Sequence, residues 1–352
     1  MPADPLTCAW FDIHAMLHHY ICGGVFHGAV MARFRYFLSA CVMAMAALGF
    51  SASGMAAFAG PRVVVTIKPI HSLAAAILEG VAEPKLMLDG AASPHSYALK
   101  PSDAKALSEA DAVIYVSRNL EVFLERTLAS LPANARVIEL EKTPGLRLLP
   151  VREGGLHEVS DEGNEERDHR GPEHGHGHGE GGFDVHFWLD PLNAIAMARH
   201  LAAEFARLDP AHAAQYRANA GKLEAALGAL DAELKATLGG LGGRPFIVFH
   251  DVTQYFESRY GLNSAGSITV SPEQAPGAKR LAAVRAKIED AKAICVFSEP
   301  EFPPKLVQTL TMGTNAKRGV LDEIGAAIPA GPGQYFALMR ADAESLAACL
   351  KS

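Results

Sequence analysis

The chain has 352 residues, 49% of them apolar and 20% charged, which is enough for two domains of ordinary size. Its formal net charge is −7, and the stretch from Arg152 to Asp184 alone carries ten Asp or Glu against three Arg. The remainder is therefore balanced, which argues against a basic nucleic-acid-binding surface.

Residues 1–30 show no clear periodicity and read as an over-extended start before Met31. From Arg33 the chain reads as a secretory signal peptide. Arg33 and Arg35 form a basic head, Phe37 to Phe50 an apolar run too short for a comfortable membrane span, and Ala57-Phe58-Ala59 a small-x-small cleavage site. Residues 1–59 are thus expected to be removed on export. Leu38-Ser39-Ala40-Cys41 resembles a lipoprotein box, but the longer apolar run follows Cys41 rather than preceding it.

Beyond Ala59, short β-branched runs alternate with amphipathic helical stretches, the pattern of an α/β protein with mostly parallel strands. Strands are expected at 62–68, 85–88, 112–116 and 136–140, with helices at 72–78, 102–110 and 120–131 between them. Ser102 is placed to cap its helix, with Asp103 in the first turn. These elements make a first lobe over 60–190. From Arg152 to Gly182 the composition turns to Gly, Glu and His, too poor in large apolar residues to offset its ordering entropy, so a disordered insertion is expected there.

The stretch 191–208 has helical spacing, with Pro191 suited to the first turn, and is read as a connecting helix. A second helical run covers 211–238. A second lobe, within 209–352, then opens with PFIVF (245–249) and continues with strands at 293–298 and 318–321. Its helices are expected at 253–260, 277–290, 304–311 and 333–350. Of five cysteines, only Cys295 and Cys349 follow the signal segment, and in an exported chain they form one disulfide or remain two buried thiols.

In open parallel sheets ligands bind beyond the carboxyl ends of the strands, which draws attention to histidines placed there. His250 directly follows PFIVF, His95 lies in the loop after 85–88, and His186 sits in DVHFWLDP. One such histidine alone is most often a hydrogen-bonded structural residue. Three in matching settings fit a zinc site of three imidazoles with a fourth position left to water or a carboxylate.

Five segments, SPHSYALKPSD, VHFWLDP, FIVFHDVTQYFE, ITVSPEQAPGAKR and CVFSEPEFPP, resemble the motifs of ZnuA-type periplasmic zinc-binding proteins of ABC importers, a branch of the cluster A-I metal solute-binding family. The resemblance implies two four-stranded parallel α/β lobes joined by a rigid helix, with zinc held in the cleft between them. It places the zinc-binding histidines on His95, His186 and His250, and a disulfide on Cys295 and Cys349. Manganese- and iron-type relatives tend to carry a carboxylate where His250 stands. Water, or Asp322 in GVLDEIG, would complete the tetrahedron, with water preferred; the other role for Asp322 is to cap the following turn. Of the insertion histidines His169, His174, His176 and His178, the last three alternate with glycine, and with acids around them they suit weak accessory capture of zinc rather than one tight site.

The resemblance further implies a periplasmic monomer that delivers Zn²⁺ to a membrane permease driven by a separate ATPase, because this chain has no Walker A motif. Two alternatives are a manganese or iron binder of the same fold and a secreted zinc hydrolase. Against the hydrolase, and for a protein that is not an enzyme, stand the lack of HExxH and of a Ser nucleophile elbow. Glu299 is the best candidate base, with a structural role as its more natural reading.

Overall fold

The computed structural model describes residues 60–152, 182–269, 272 and 275–351. They belong to one compact unit that begins at Ala59. The expected signal segment lies outside the described residues.

The first lobe is built on strands β1 (Val63–Val65), β2 (Lys85–Leu86), β3 (Ala112–Tyr115) and β4 (Arg136–Glu139). They form an all-parallel sheet in the order β2-β1-β3-β4. All positions of β1 and β3 are buried, as apolar runs covered by helices on both faces require. Helix α1 (Lys68–Leu78) starts four residues before the expected 72, because Pro69 occupies its first turn. Helix α2 (Pro101–Glu109) also opens on a proline. Its start is held not by Ser102 but by Asp103, whose carboxylate accepts from the Lys100 backbone N–H at 3.0 Å and from the Tyr97 hydroxyl at 2.8 Å. Pro101 fixes the first helical residue one position earlier than expected, which moves Ser102 off the cap. The helix expected over 120–131 is shorter, a 3₁₀ turn at Val122–Leu124 followed by α3 (Glu125–Leu128).

Helix α4 (Pro191–Leu208) is capped by Asp190, which accepts from the Leu192 N–H at 2.9 Å. The chain then reverses through Asp209 and Pro210 into α5 (Ala213–Leu238), so the two helices lie antiparallel, with Arg199 paired to Glu224 and Phe205 packed on Tyr216.

The second lobe repeats the first: β5 (Phe246–Val248), β6 (Ser264–Ser267), β7 (Cys295–Ser298) and β8 (Lys317–Val320) form a parallel sheet in the order β6-β5-β7-β8. Strand β6 reads SAGS and has neither a β-branched nor a large apolar residue, so it is not among the expected strands. Helices α6 (Gln254–Tyr260), α7 (Ala278–Asp290), α8 (Lys305–Thr311) and α9 (Gln334–Leu350) cover this sheet. Alternation along β5 sorts its side chains between two cores, with Phe246 and Val248 joining the large core and Ile247 packing with Ile268, Val284 and Val296 on the other face. Cys295, at the start of β7, is disulfide-bonded to Cys349 in α9, which ties the last helix to the sheet.

One apolar core runs through both lobes, and specific polar contacts join them as well. The Lys68 ammonium, 4% exposed, donates to the carbonyls of Ala326 at 2.9 Å, Ile328 at 3.1 Å and Gly325 at 3.4 Å. The Trp188 indole donates to the Glu323 carbonyl at 2.9 Å, and the Tyr335 hydroxyl to the Trp188 carbonyl at 2.7 Å. The fold thus brings the carboxyl ends of both sheets toward one seam.

Candidate metal centre

Where strand order reverses in a doubly wound sheet, the loops leaving neighbouring strands diverge and open a crevice. In the second lobe that point falls between β5 and β7. His250 lies two residues beyond β5 and Glu299 directly beyond β7, so adjacent strands deliver an imidazole and a carboxylate to one place. His95 comes from the loop between β2 and α2 in the first lobe. His186 stands just before a 3₁₀ turn (Phe187–Leu189) that leads into α4.

The structure brings these three histidines together. His95 Nε2 and His186 Nε2 are 3.3 Å apart, and His186 Nε2 and His250 Nε2 are 3.4 Å apart. The ring centroids are 5.2 to 5.6 Å from one another. His186 and His250 are buried at 5% and 2% exposure, while His95 is half-buried.

The far side of each buried ring is fixed by a carboxylate. Nδ1 of His186 donates to Asp184 Oδ1 at 2.8 Å, and the same oxygen accepts from the His186 backbone N–H at 2.9 Å. Nδ1 of His250 donates to Glu299 Oε2 at 2.7 Å, while Glu299 Oε1 accepts from the His250 backbone N–H at 3.2 Å. A carboxylate partner selects the tautomer in which Nδ1 carries the proton, so in the neutral ring the Nε2 lone pair is the one left for a metal. Two lone pairs facing each other at 3.4 Å in a buried site repel unless a positive charge lies between them. Tetrahedral zinc with bonds of about 2.0–2.1 Å to nitrogen places its ligands roughly 3.3 Å apart, which is the spacing observed.

Charge around the site is negative. Burial opposes protonation of His250, yet the Glu299 carboxylate, with Asp251 and Glu301 behind it, raises its pKa above the ordinary 6.5. Burial pushes the Glu301 carboxyl up to about 7, helped by the charges of Asp322 and Glu299. Burial first, and then the neighbouring Glu299 and Glu301, also raise Glu323 far above the ordinary carboxylate range.

Asp322 has a different setting from the histidines. Its Oδ1 accepts from the Gly325 N–H and its Oδ2 from the Ala326 N–H, both at 2.7 Å, so it caps the turn that follows. Both oxygens of Glu299 are engaged by His250 itself, which leaves it as a positioning group rather than a base free to act beside Nε2. His169, His174, His176 and His178 lie outside the described residues. The expected edges of that insertion, Arg152 and Gly182, belong to the fold. The Val151 N–H donates to the Gly182 carbonyl at 3.1 Å, and the Asp184 N–H to that of Leu149 at 2.8 Å. Arg152 pairs with Glu257 at 2.8 Å and with Asp251, the residue after His250.

Asp184 was not singled out from the sequence, although a carboxylate two residues before a strand-end histidine is a usable signal for a Nδ1 partner. Glu301, Glu323 and Arg152 gave none, because each meets the site through a loop whose course the sequence does not fix.

Residues 63–349 match the family described as zinc-uptake complex component A, periplasmic. The chain is 44% identical over 320 residues to the high-affinity zinc uptake system protein ZnuA of Brucella abortus (strain 2308), covering 86% of this chain and 95% of that protein. Its fold is similar to a crystal structure of a ZnuA deletion mutant with zinc bound, with TM-score 0.67 and 26% identity over 83% of this chain and 98% of the other. The periplasmic zinc-binding protein TroA of Treponema pallidum shares the fold with TM-score 0.68 at 21% identity, covering 83% and 99% of the two chains.

Proposed function

The chain belongs to the periplasmic zinc-uptake component A family, and from that premise we propose that His95, His186 and His250 hold the zinc ion it captures and delivers to an ABC importer. The observation that carries this reading is the pair of contacts at 3.3 and 3.4 Å between Nε2 atoms, two of them with Nδ1 anchored to a carboxylate. Three imidazole nitrogens favour zinc over manganese or iron, which prefer more oxygen in the set. The fourth position is assigned to water, because Asp322 groups with Glu301 and Glu323 and not with the three histidines.

Zinc is cargo, not a catalytic cofactor, and the protein is not an enzyme. The bound ion would draw His95 and His186 of the first lobe and His250 of the second onto one centre and so fix the lobe arrangement that a permease reads. An ATPase on the far side of the membrane would supply the energy. The chain acts as a monomer in the periplasm, reached through a cleaved signal peptide ending near Ala59. The insertion histidines His169, His174, His176 and His178 serve as weak accessory sites that concentrate zinc near the cleft.

Chelator competition on the protein with and without residues 153–181 tests this assignment. One tight zinc that survives the deletion and is lost in His186→Ala and His250→Ala supports it. Loss of tight binding with the insertion moves the site there and overturns it.

A further inference from the structure

Strands β7 and β8 pair in register, Ser298 opposite Val320. Three residues further along each strand's exit lie Glu301 and Glu323, with Asp322 beside the latter. Carboxylate oxygens from these three residues all fall within 4.8 Å of one another. Acidic clusters alone are common, but this one holds oxygens that have no partner. Glu323 is 3% exposed and its Oε2 receives no hydrogen bond, and both oxygens of Glu301 are likewise buried and unbonded. No ion pair joins any of the three to a described lysine or arginine. The nearby Lys68 ammonium is directed instead to the carbonyls of Gly325, Ala326 and Ile328 and to Asp89.

Unpaired carboxylates at such depth are costly, and a cation among them removes the cost. We propose that Glu301, Asp322 and Glu323 form a second cation site, separate from the three imidazoles, for a hard divalent ion of the calcium, magnesium or manganese class. An all-oxygen donor set selects such ions, whereas zinc favours nitrogen and sulfur. Asp322 keeps its turn-capping bonds, because each carboxylate oxygen has a second lone pair. The two centres connect through Glu299, which groups with His250 and Glu323 and meets the Nδ1 of His250, not the Nε2 facing the other histidines. An ion here would offset the negative field behind His250 without touching the transported zinc.

Terbium(III), an oxygen-seeking luminescent probe, tests the site on the full, zinc-saturated chain. The Trp188 indole donates to the Glu323 carbonyl at 2.9 Å, close enough to sensitise a bound terbium ion. The expected result is Trp-sensitised emission that saturates at one ion per chain and is displaced by calcium. In Glu301→Gln with Glu323→Gln it weakens by at least the roughly tenfold that even an outer metal-site partner costs. Where the double variant does not fold, by circular dichroism, the half-buried Glu301→Gln alone carries the comparison. Absence of sensitised emission, or emission equal in wild type and variants, overturns the proposal. The proposal does not rest on the zinc assignment, since terbium should also bind the zinc-free chain; failure at one centre leaves the other measurable.

Discussion

Nδ1 of His250 lies 2.7 Å from Oε2 of Glu299, and both side chains are almost wholly buried. The carboxylate fixes the tautomer and points Nε2 at His186. Glu299→Gln keeps the shape but removes the charge, and is expected to weaken zinc binding by about 10- to 100-fold with little change in fold. Chelator competition and a thermal melt of the zinc-free protein would separate the two effects.

The same carboxylate sets the pH dependence. His250 has a raised pKa, so in the zinc-free protein its proton is retained to higher pH than in an unfolded chain. Under the proposed assignment, zinc displaces that proton. Affinity should therefore be flat above the raised value and fall as pH drops through it, by up to roughly tenfold per unit for this group. In the zinc-free protein the His250–Glu299 ion pair adds stability that is fully present below the unfolded pKa and is lost as pH rises through the folded one. Zinc titrations across this range check the slope, and Glu299→Gln should move the inflection to lower pH.

Lys68 reaches from the start of α1 to three carbonyls of the other lobe. Lys68→Met fills similar space but leaves those carbonyls without their charged donor. The expected loss is about 3 kcal/mol of stability, together with weaker zinc binding as the lobe arrangement loosens. Denaturant unfolding at fixed zinc would show the first. A variant as stable as the wild type would remove Lys68 from the contact between lobes.

The Cys295–Cys349 bond closes a segment with 54 residues of separation. Chain-entropy reasoning puts its contribution near 4 kcal/mol, expressed mainly in the unfolded state. Cys295→Ser with Cys349→Ser should lower the melting temperature while leaving zinc stoichiometry at one, because neither sulfur approaches the histidines' cluster.

Most of the fold is legible from residue patterning. Val63–Val65, Ala112–Tyr115 and Cys295–Ser298 are apolar runs buried as central parallel strands, and β6 escapes notice because SAGS carries no strand signal. Helix starts at Lys68 and Pro101 shift because proline fixes the first turn more firmly than a nearby serine caps it.

By itself the sequence offered His95, His186 and His250 as candidate ligands, since each stands in a loop beside a strand end or helix start, and it determined that two cysteines were available to pair. Only the tertiary structure decided how these groups meet. The reversal of strand order between β5 and β7 puts His250 against Glu299, and the pairing of β7 with β8 gathers Glu301, Asp322 and Glu323. Local patterning reports on burial and backbone conformation, which depend on near neighbours in the chain. The partner of a ligand, and the charge surrounding it, depend on sheet order and register, which residues far apart in sequence settle together.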